Sequence, residues 1–267
     1  MTATTLEVAT PQSEVDAAVS LSGVRKVFGH GAGAVLALDG VDLRVEPGEF
    51  VCLLGASGCG KSTLLNLVAG LDAPTSGSIE LTTSRPAVMF QEAALMPWLT
   101  AVRNVELPLR LAGLKRGARR AKANELLSLV RLGEAGGKRP HELSGGMRQR
   151  VALARALAST LGSAEEGTPG LLLMDEPFAA LDAITRDVLQ AELVRVWRET
   201  DTAIVFVTHD VREAVRLGQR VVLLSSRPGK VVREWSVDGL AGADEAEAIV
   251  DITAHLREVI SGHAAAS

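Results

Sequence analysis

Residues 55–62, GASGCGKS, constrain the fold of this chain more than any other stretch of its sequence. They match the pattern G-x-x-x-x-G-K-[ST] and lie between the apolar run 50–54 and a helix-forming run, 61–69. A glycine-rich turn between a strand and a helix lets backbone N–H groups approach phosphate oxygens, and the helix N-terminus favours the negative charge. The sequence therefore predicts a strand, a loop and a helix that together bind a nucleoside triphosphate.

Within this loop, each residue type has a predicted task. Lys61 reaches the β- and γ-phosphates of ATP and assists their transfer, Ser62 ligates Mg²⁺, and Thr63 adds a contact near the α-phosphate. The flanking strand and helix argue against the alternative, a glycine-rich turn with a chance lysine. The other loop positions expected to contact the phosphates are Gly55, Ser57, Gly58 and Gly60.

Continuous apolar runs alternate with helical patterns along much of the chain. Such runs are typical of strands that are covered on both faces of a parallel sheet. They are residues 50–54, 87–90, 171–174, 203–207 and 221–224. The helical patterns between them cover 61–69, 185–200 and 211–217. This alternation predicts an α/β fold with a mostly parallel sheet.

Residues 92–158 interrupt the alternation with helical patterns alone, most clearly at 119–130 and 147–157. We interpret this segment as a helical subdomain inserted into the α/β core. The core itself is then discontinuous and comprises residues 20–91 and 159–236.

The two ends of the chain differ from the core. Residues 1–19 have no apolar period and predict a flexible leader. The tail, 237–267, contains apolar residues at helical spacing over 244–260, which predicts an amphipathic helix. The polar run 161–170, LGSAEEGTPG, predicts a loop before the next strand.

Composition excludes several classes of function. A formal net charge of −4 gives no broad positive field for nucleic acid. Cys52 and Cys59 have neither a zinc-site spacing nor a secreted disulfide pattern. No apolar run approaches the ~20 residues that span a bilayer, and the N-terminus lacks a signal peptide. We therefore expect a soluble, cytoplasmic protein.

A second set of polar residues follows the predicted strands. The run LLLMDE ends in Asp175, suited to hold hydrated Mg²⁺, and Glu176, suited to act on water as a general base. An acidic pair after a strand is usually only a solvated end, but the phosphate loop in the same chain favours the catalytic interpretation. Gln91 and His209 also follow strands, where a lone Gln or His is more often structural.

The order of these motifs resembles the ABC ATPases from about residue 21 to 235. The order is the phosphate loop, Gln91, LSGG at 143–146, the acidic pair, LD at 181–182, and His209. The resemblance implies a RecA-like P-loop NTPase core with an antiparallel β part on its N-terminal side. It also implies that Gln91 contacts Mg²⁺ and links the core to the helical subdomain, and that His209 senses the γ-phosphate.

The same resemblance implies a homodimer with two ATP molecules in its interface. The LSGG helix start, with Ser144, Gly145 and Gly146, caps the γ-phosphate of ATP held by the second subunit, head to tail. Asp182 organises that interface. A two-fold axis makes the two nucleotide sites equivalent.

Two positions depart from the family pattern. The chain has no Tyr for stacking on adenine, and Phe28 stands at the corresponding place. A core role for Phe28 is the competing interpretation. Met147 follows LSGG where Gln is common.

The partner is predicted from the segment after Gln91. Its residues Leu95, Met96, Pro97 and Trp98, with the run LLSSRPGKVV at 223–232, resemble the nitrate, sulfonate and taurine branch of bacterial importers. This implies a permease dimer that docks near Leu95, Met96 and Trp98, an extracytoplasmic substrate-binding protein, and a location on the cytoplasmic face of the membrane.

Several alternatives remain open at this point. Trp98 can instead fill the core of the helical subdomain. The chain can belong to an exporter, to a lipoprotein-releasing system, or to a non-transport ABC protein. A basic cluster predicts either a solvated helix face or a contact with anionic lipid; its members are Lys115, Arg116, Arg119, Arg120 and Lys122.

Overall fold

The computed structural model describes residues 17–82, 86–164, 170–179, 181–200 and 202–264. The strands are β1 (Val19–Phe28), β2 (Val35–Val45), β3 (Phe50–Leu54), β4 (Ser76–Leu81), β5 (Ala87–Met89), β6 (Leu171–Asp175), β7 (Ala203–Val207), β8 (Arg220–Leu224) and β9 (Val231–Ser236). The α-helices are α1 (Lys61–Val68), α2 (Ala101–Leu111), α3 (Arg116–Leu129), α4 (Gly145–Ala164), α5 (Ala183–Thr200), α6 (Val211–Leu217) and α7 (Ala243–Ala264). Short 3-10 turns cover Gly31–Gly33, Gly133–Ala135 and Pro140–Glu142.

The strands form two sheets. The larger has six strands in the order β5-β6-β7-β3-β8-β9, and only β9 runs antiparallel to its neighbour. The smaller is antiparallel, in the order β2-β1-β4. The predicted fold class is therefore confirmed: an α/β core with a mostly parallel sheet, an antiparallel part near the N-terminus, and a separate group of helices.

The parallel sheet brings the predicted site together. Strands β5, β6, β7, β3 and β8 all run in the same direction, so their carboxyl ends meet at one edge. The loops that leave this edge are those after Met89, Leu54, Asp175, Val207 and Leu224. Four of them carry residues that the sequence motifs singled out.

The continuous apolar strands are explained by cores on both faces of the sheet. In β3, Phe50, Cys52 and Leu54 belong to the core beneath the helical segment. Val51 and Leu53 belong to the other core, which lies under α1 and the antiparallel sheet. Every residue of β3 is buried. This fixes the starting point of the phosphate loop, because β3 lies between β7 and β8.

Helices α2, α3 and α4 pack on one another between β5 and β6 of the chain. Among the described residues from 92 to 164 there is no strand, as the helical patterns predict. The C-terminal amphipathic helix is also present as α7, with Ile252 fully buried and Val259 packed against the core.

Two predictions are wrong at their edges. The leader was expected to extend to residue 19, but Val19 starts β1, and Ala17 and Ala18 are buried; residues 1–16 lie outside the described part. The loop expected over 161–170 begins later, because α4 continues to Ala164. Residues 165–169 are likewise not described. At the N-terminal edge, the burial of Ala17, Ala18 and Val19 extends the regular structure further than local composition indicates.

Within the described ranges, no helix combines the length and apolar character needed to cross a membrane.

Candidate functional site

The phosphate loop connects the end of β3 to the start of α1. Gly55, Gly58 and Gly60 have φ values of 159°, 75° and 109°. Space at Gly60 is also limited by backbone, because a Cβ there would lie 3.0 Å from the Ala37 carbonyl oxygen. Lys61 is almost fully buried, and its Nζ donates to the carbonyls of Gly55 (2.7 Å) and Ala56 (3.0 Å). The lysine therefore holds the loop in a curved form from inside.

A cleft opens between this loop and the antiparallel sheet. Phe28, at the end of β1, is 44% exposed, and Lys26 Nζ lies 5.0 Å from the centre of its ring. Phe28 thus lines the cleft with a partly exposed ring and does not fill the core. The residues that line the cleft are Phe28, Val35, Ala37, Ser57, Gly58, Gly60, Lys61, Ser62, Thr63, Glu176 and Arg227.

Asp175, at the end of β6, interacts with Ser62, which lines this cleft. The Ser62 hydroxyl donates a hydrogen bond to the Asp175 carboxylate. Burial raises the pKa of Asp175 and the charge of Glu176 adds to this, while the Ser62 hydrogen bond and Lys61 oppose it. A hydroxyl and a carboxylate are the hard oxygen donors that Mg²⁺ uses beside phosphate oxygens. Among the described residues there is no cluster of three or more His, Cys, Asp or Glu that could hold a metal by itself.

Glu176, which lines the cleft, forms a pair with His209. His209 Nδ1 lies 3.1 Å from Glu176 Oε2, and the imidazole is well exposed. Glu176 has a positive φ of 44°, and its N–H donates to the Val207 carbonyl (3.1 Å). Strained backbone at a non-glycine residue is concentrated at functional sites. The strand β7 therefore fixes Glu176 from one side and supplies His209 next to it.

A buried polar network lies behind this pair, and the sequence motifs gave no sign of it. Glu213 accepts hydrogen bonds from the Thr208 hydroxyl and from Gln190 Nε2 (2.8 Å), and the Asp210 N–H donates to Thr208 Oγ1 (3.0 Å). Burial raises the pKa of Glu213, and Asp210 adds to it, against the hydrogen bonds. The network fixes the backbone on both sides of His209. Thr208 is adjacent to His209 in the sequence and Glu213 lies on α6, but neither belongs to the motifs that the sequence analysis used.

The LSGG residues lie elsewhere on the same chain. Ser144 precedes α4, and its hydroxyl accepts from the Met147 N–H (3.3 Å). A Cβ on Gly146 would lie 2.6 Å from Thr185 Cγ2, so α4 starts in direct contact with α5. Asp182 caps α5 by accepting from the Thr185 N–H (3.0 Å), which lowers the pKa of Asp182.

The predicted site residues thus fall into two groups. One group comprises the phosphate loop, Phe28 and Glu176, which line the cleft, together with Asp175 beside Ser62 and His209 beside Glu176. The other joins Ser144, Gly145, Gly146 and Asp182 at the starts of α4 and α5. As far as the chain is described, no member of the second group lines the cleft.

Gln91 connects the core to the helices through its backbone. Its carbonyl accepts from Gln149 Nε2 on α4 (2.6 Å), and Arg155 donates to the carbonyls of Ala93 (2.9 Å) and Ala94 (2.7 Å). The side chain of Gln91 is exposed and is not among the described residues that line the cleft. The structure therefore places Gln91 beside α4 and does not bring its side chain to Ser62.

The segment after Gln91 is only partly exposed. Leu95 packs against the core, and the turn is fixed by the buried Asn104, which hydrogen-bonds both the N–H (2.8 Å) and the carbonyl (3.3 Å) of Met96. Pro97 and Trp98 are exposed, and Trp98 is 68% exposed. The expectation of an exposed patch therefore holds for Trp98 and is wrong for Leu95 and Met96, which are half-buried.

A groove lies beside Trp98, between α2 and α3. Three arginines of the predicted basic cluster line it, together with two from α2; the five are Arg103, Arg110, Arg116, Arg119 and Arg120. Glu106 also lines it and pairs with Arg120 (3.4 Å). The basic cluster is therefore part of a concave surface.

Comparison with known proteins gives a consistent set of similarities. Residues 38–179 match the family model described as ABC transporter. The taurine import ATP-binding protein TauB of Burkholderia pseudomallei is 47% identical over 222 residues, which cover 80% of this chain and 82% of that protein. The nitrate import ATP-binding protein NrtD of Synechocystis sp. is 44% identical over 234 residues, 85% of each chain. A dimeric, post-hydrolysis structure of the ATP-binding cassette MJ0796 bound to ADP and Pi has a TM-score of 0.69 and 35% identity; the match covers 83% of this chain and all of that one.

Proposed function

This chain belongs to the ABC transporter family, and on that premise we propose that it is the ATP-hydrolysing subunit of a bacterial importer for a small anion such as taurine, another aliphatic sulfonate or nitrate. The observation that carries the catalytic part is the position of Glu176, which lines the phosphate-loop cleft and contacts His209 (3.1 Å). The names of the taurine and nitrate relatives favour import over the exporter and non-transport alternatives.

In the proposed reaction, a water molecule attacks the γ-phosphorus of ATP, the bond from this phosphorus to the β,γ-bridging oxygen breaks, and ADP leaves while the γ-phosphoryl group becomes inorganic phosphate. Glu176 orients that water and accepts its proton, and His209 holds the carboxylate and faces the γ-phosphate. Lys61 and the loop N–H groups stabilise charge on the phosphates. Ser62 and Asp175 would hold Mg²⁺, which would neutralise phosphate charge when bound. Phe28 stacks on the base.

Replacing the proposed base tests this assignment. Glu176→Gln keeps the shape of the side chain but cannot take a proton, so we expect the rate of ATP hydrolysis to fall by ~10² or more. The affinity for ATP stays nearly unchanged, as measured by titration calorimetry. Glu125→Gln on the exposed face of α3 is the control, with wild-type turnover expected. Near-normal turnover of the Glu176 variant would refute the role.

The two groups of site residues lead to the second part of the proposal, a head-to-tail homodimer. Ser144, Gly145 and Gly146 of one protomer complete the cleft of the other, and Asp182 lies in the same interface. A solved relative is itself dimeric. Two-fold symmetry then gives two equivalent sites.

Mixing two inactive variants tests this arrangement. Lys61→Ala and Ser144→Arg should each abolish hydrolysis as homodimers. In a mixed dimer both substitutions fall in one site, and the other site has only wild-type residues. Each mixed dimer should therefore hydrolyse ATP at up to about half of the rate of a wild-type dimer. If the subunits are shown to exchange and the mixture still does not hydrolyse ATP, the proposal of composite sites that can each work alone is wrong.

The partner in this proposal is a permease dimer, supplied by an extracytoplasmic binding protein, with the ATPase at the cytoplasmic face of the membrane. Trp98 is the proposed anchor, with Leu95 and Met96 beneath it. A segment that fits the neighbouring groove would present acidic side chains to its arginines.

A further inference from the structure

The loop between β8 and β9 reaches the phosphate loop, although the proposed mechanism does not use it. It leaves the same edge of the sheet as the catalytic loops. Its conformation is fixed by Ser225, whose hydroxyl donates to the Pro228 carbonyl (2.7 Å). Gly229 is tied to β2, because its N–H donates to Ala37 (2.8 Å) and its carbonyl accepts from Asp39 (3.0 Å). The loop is therefore a rigid part of the cleft.

Arg227 extends from this loop to the outside of the phosphate loop. Its Nε donates to the Gly58 carbonyl (3.2 Å), and its side chain lines the cleft together with Phe28 and Lys61. It also lines a second, smaller cavity with Ala56 and Ser57. A guanidinium has five N–H donors in a fixed fork, so the bond to Gly58 leaves most of them available.

The charge of Arg227 is not neutralised within the described ranges. No carboxylate there forms an ion pair with Arg227, whereas Lys230 of the same loop pairs with Asp39 (2.7 Å). Asp39 also pairs with Arg25 (2.9 Å). The loop thus carries two cations: Lys230 is paired with Asp39, and Arg227 faces the cleft.

We propose that Arg227 is a nucleotide-binding residue whose guanidinium contacts the phosphate chain of the bound nucleotide. The inference rests on the proposed function, since it assumes that the cleft holds ATP. Planar, charge-assisted bonds from Arg to phosphate are among the stronger hydrogen bonds in proteins. The hydroxyl of Ser226, the residue before Arg227, donates to the Val259 carbonyl on α7 (3.0 Å). The C-terminal helix therefore supports the position of Arg227.

Nucleotide affinities of matched variants test the proposal. ADP is the probe, because it is not hydrolysed, and titration calorimetry gives its Kd for the full-length chain. Arg227→Gln should raise this Kd about tenfold, and Arg227→Lys should raise it less, because charge remains but the fork is lost. Lys230→Gln removes the same charge from the same loop and should change the Kd by less than twofold. Circular dichroism melts establish that all variants are folded.

Salt dependence separates contact with phosphate from support of the loop. If Arg227 contacts phosphate, the Kd of Arg227→Gln depends less on salt concentration than that of the wild type, because one screened charge pair is gone. A tenfold loss with an unchanged salt dependence assigns Arg227 to holding Gly58 alone and overturns the proposal, as does a Kd within twofold of wild type. A wild-type chain that binds neither ADP nor ATP would instead refute the proposed function.

Discussion

Trp98→Ala decides whether this side chain serves docking or the core of the helical segment. Trp98 is 68% exposed, so about a third of its surface is removed from water. A fully buried aromatic side chain covers ~150–250 Å², and a third of that is ~50–80 Å². At ~25 cal/mol per Å², the truncation costs about 1–2 kcal/mol of unfolding free energy. Phe178, which is 1% exposed, provides the contrast, and Phe178→Ala should cost ~3–5 kcal/mol.

Two measurements on the same variants complete the test. Urea titration of the isolated subunit gives the unfolding free energies, and binding to the permease in nanodiscs gives the Kd. An interface hot spot costs 2 kcal/mol or more, so Trp98→Ala should weaken permease binding by about 30-fold while basal ATP hydrolysis is unchanged. Leu71→Ala, at another exposed apolar side chain, should leave binding unchanged.

The outcomes are separable. If Trp98→Ala destabilises the subunit as much as Phe178→Ala does, Trp98 belongs to the core and the exposed position is wrong. If stability changes by the smaller amount and permease binding is unaffected, the docking surface lies elsewhere.

Two further predictions concern residues around the cleft. Phe28→Ala should raise the Kd for ADP about five- to tenfold. The Kd of Phe28→Trp should stay within about twofold of wild type, because adenine needs only an aromatic ring face on which to stack. Equal losses of affinity in calorimetry would contradict stacking. Glu213→Gln tests the buried carboxyl, whose pKa is raised by burial in the folded state. A raised carboxyl pKa destabilises the fold above that pKa, and the cost disappears as the pH falls through it; the variant should therefore melt no lower than wild type at pH 8, with any advantage shrinking toward pH 5.

The parts of the fold that could be predicted are those buried on both faces. The run 203–207 and the helix 211–217 were predicted with the bounds that the structure has for β7 and α6. The antiparallel strands gave no comparable signal. β4 has no fully buried residue, and in β9 only Val231 and Trp235 are half-buried while the other residues are exposed, so neither strand shows an apolar run or a clear alternation. Their positions depend on pairing with β1 and β8 and not on local composition.

The site shows the same division between local and long-range information. Gly55–Lys61 and Asp175–Glu176 could be assigned because each lies in a short motif at the end of a strand. Arg227 and Glu213 could not, because Arg227 meets Gly58 only through the order of the strands and Glu213 meets Gln190 only through the packing of α6 beside α5. β8 lies beside β3 in the sheet, although Arg227 is 169 residues from Gly58 in the chain. The spacing of residues within a single motif cannot predict that these two residues are close.

The N-termini of α1 and α4 both contain or follow glycines, but their surroundings within the chain differ. α1 begins at the phosphate loop, and the cleft over it is bounded by Phe28, Glu176 and Arg227 of its own chain. α4 begins after Ser144, and its nearest described neighbour from another helix at Gly146 is Thr185. Both starts favour an anion by their dipoles. As far as the chain is described, only the first start lies at such a cleft. In the dimer proposed above, α4 of one protomer would lie over the partner's cleft, and the same two-fold rotation would place the partner's α4 over this one.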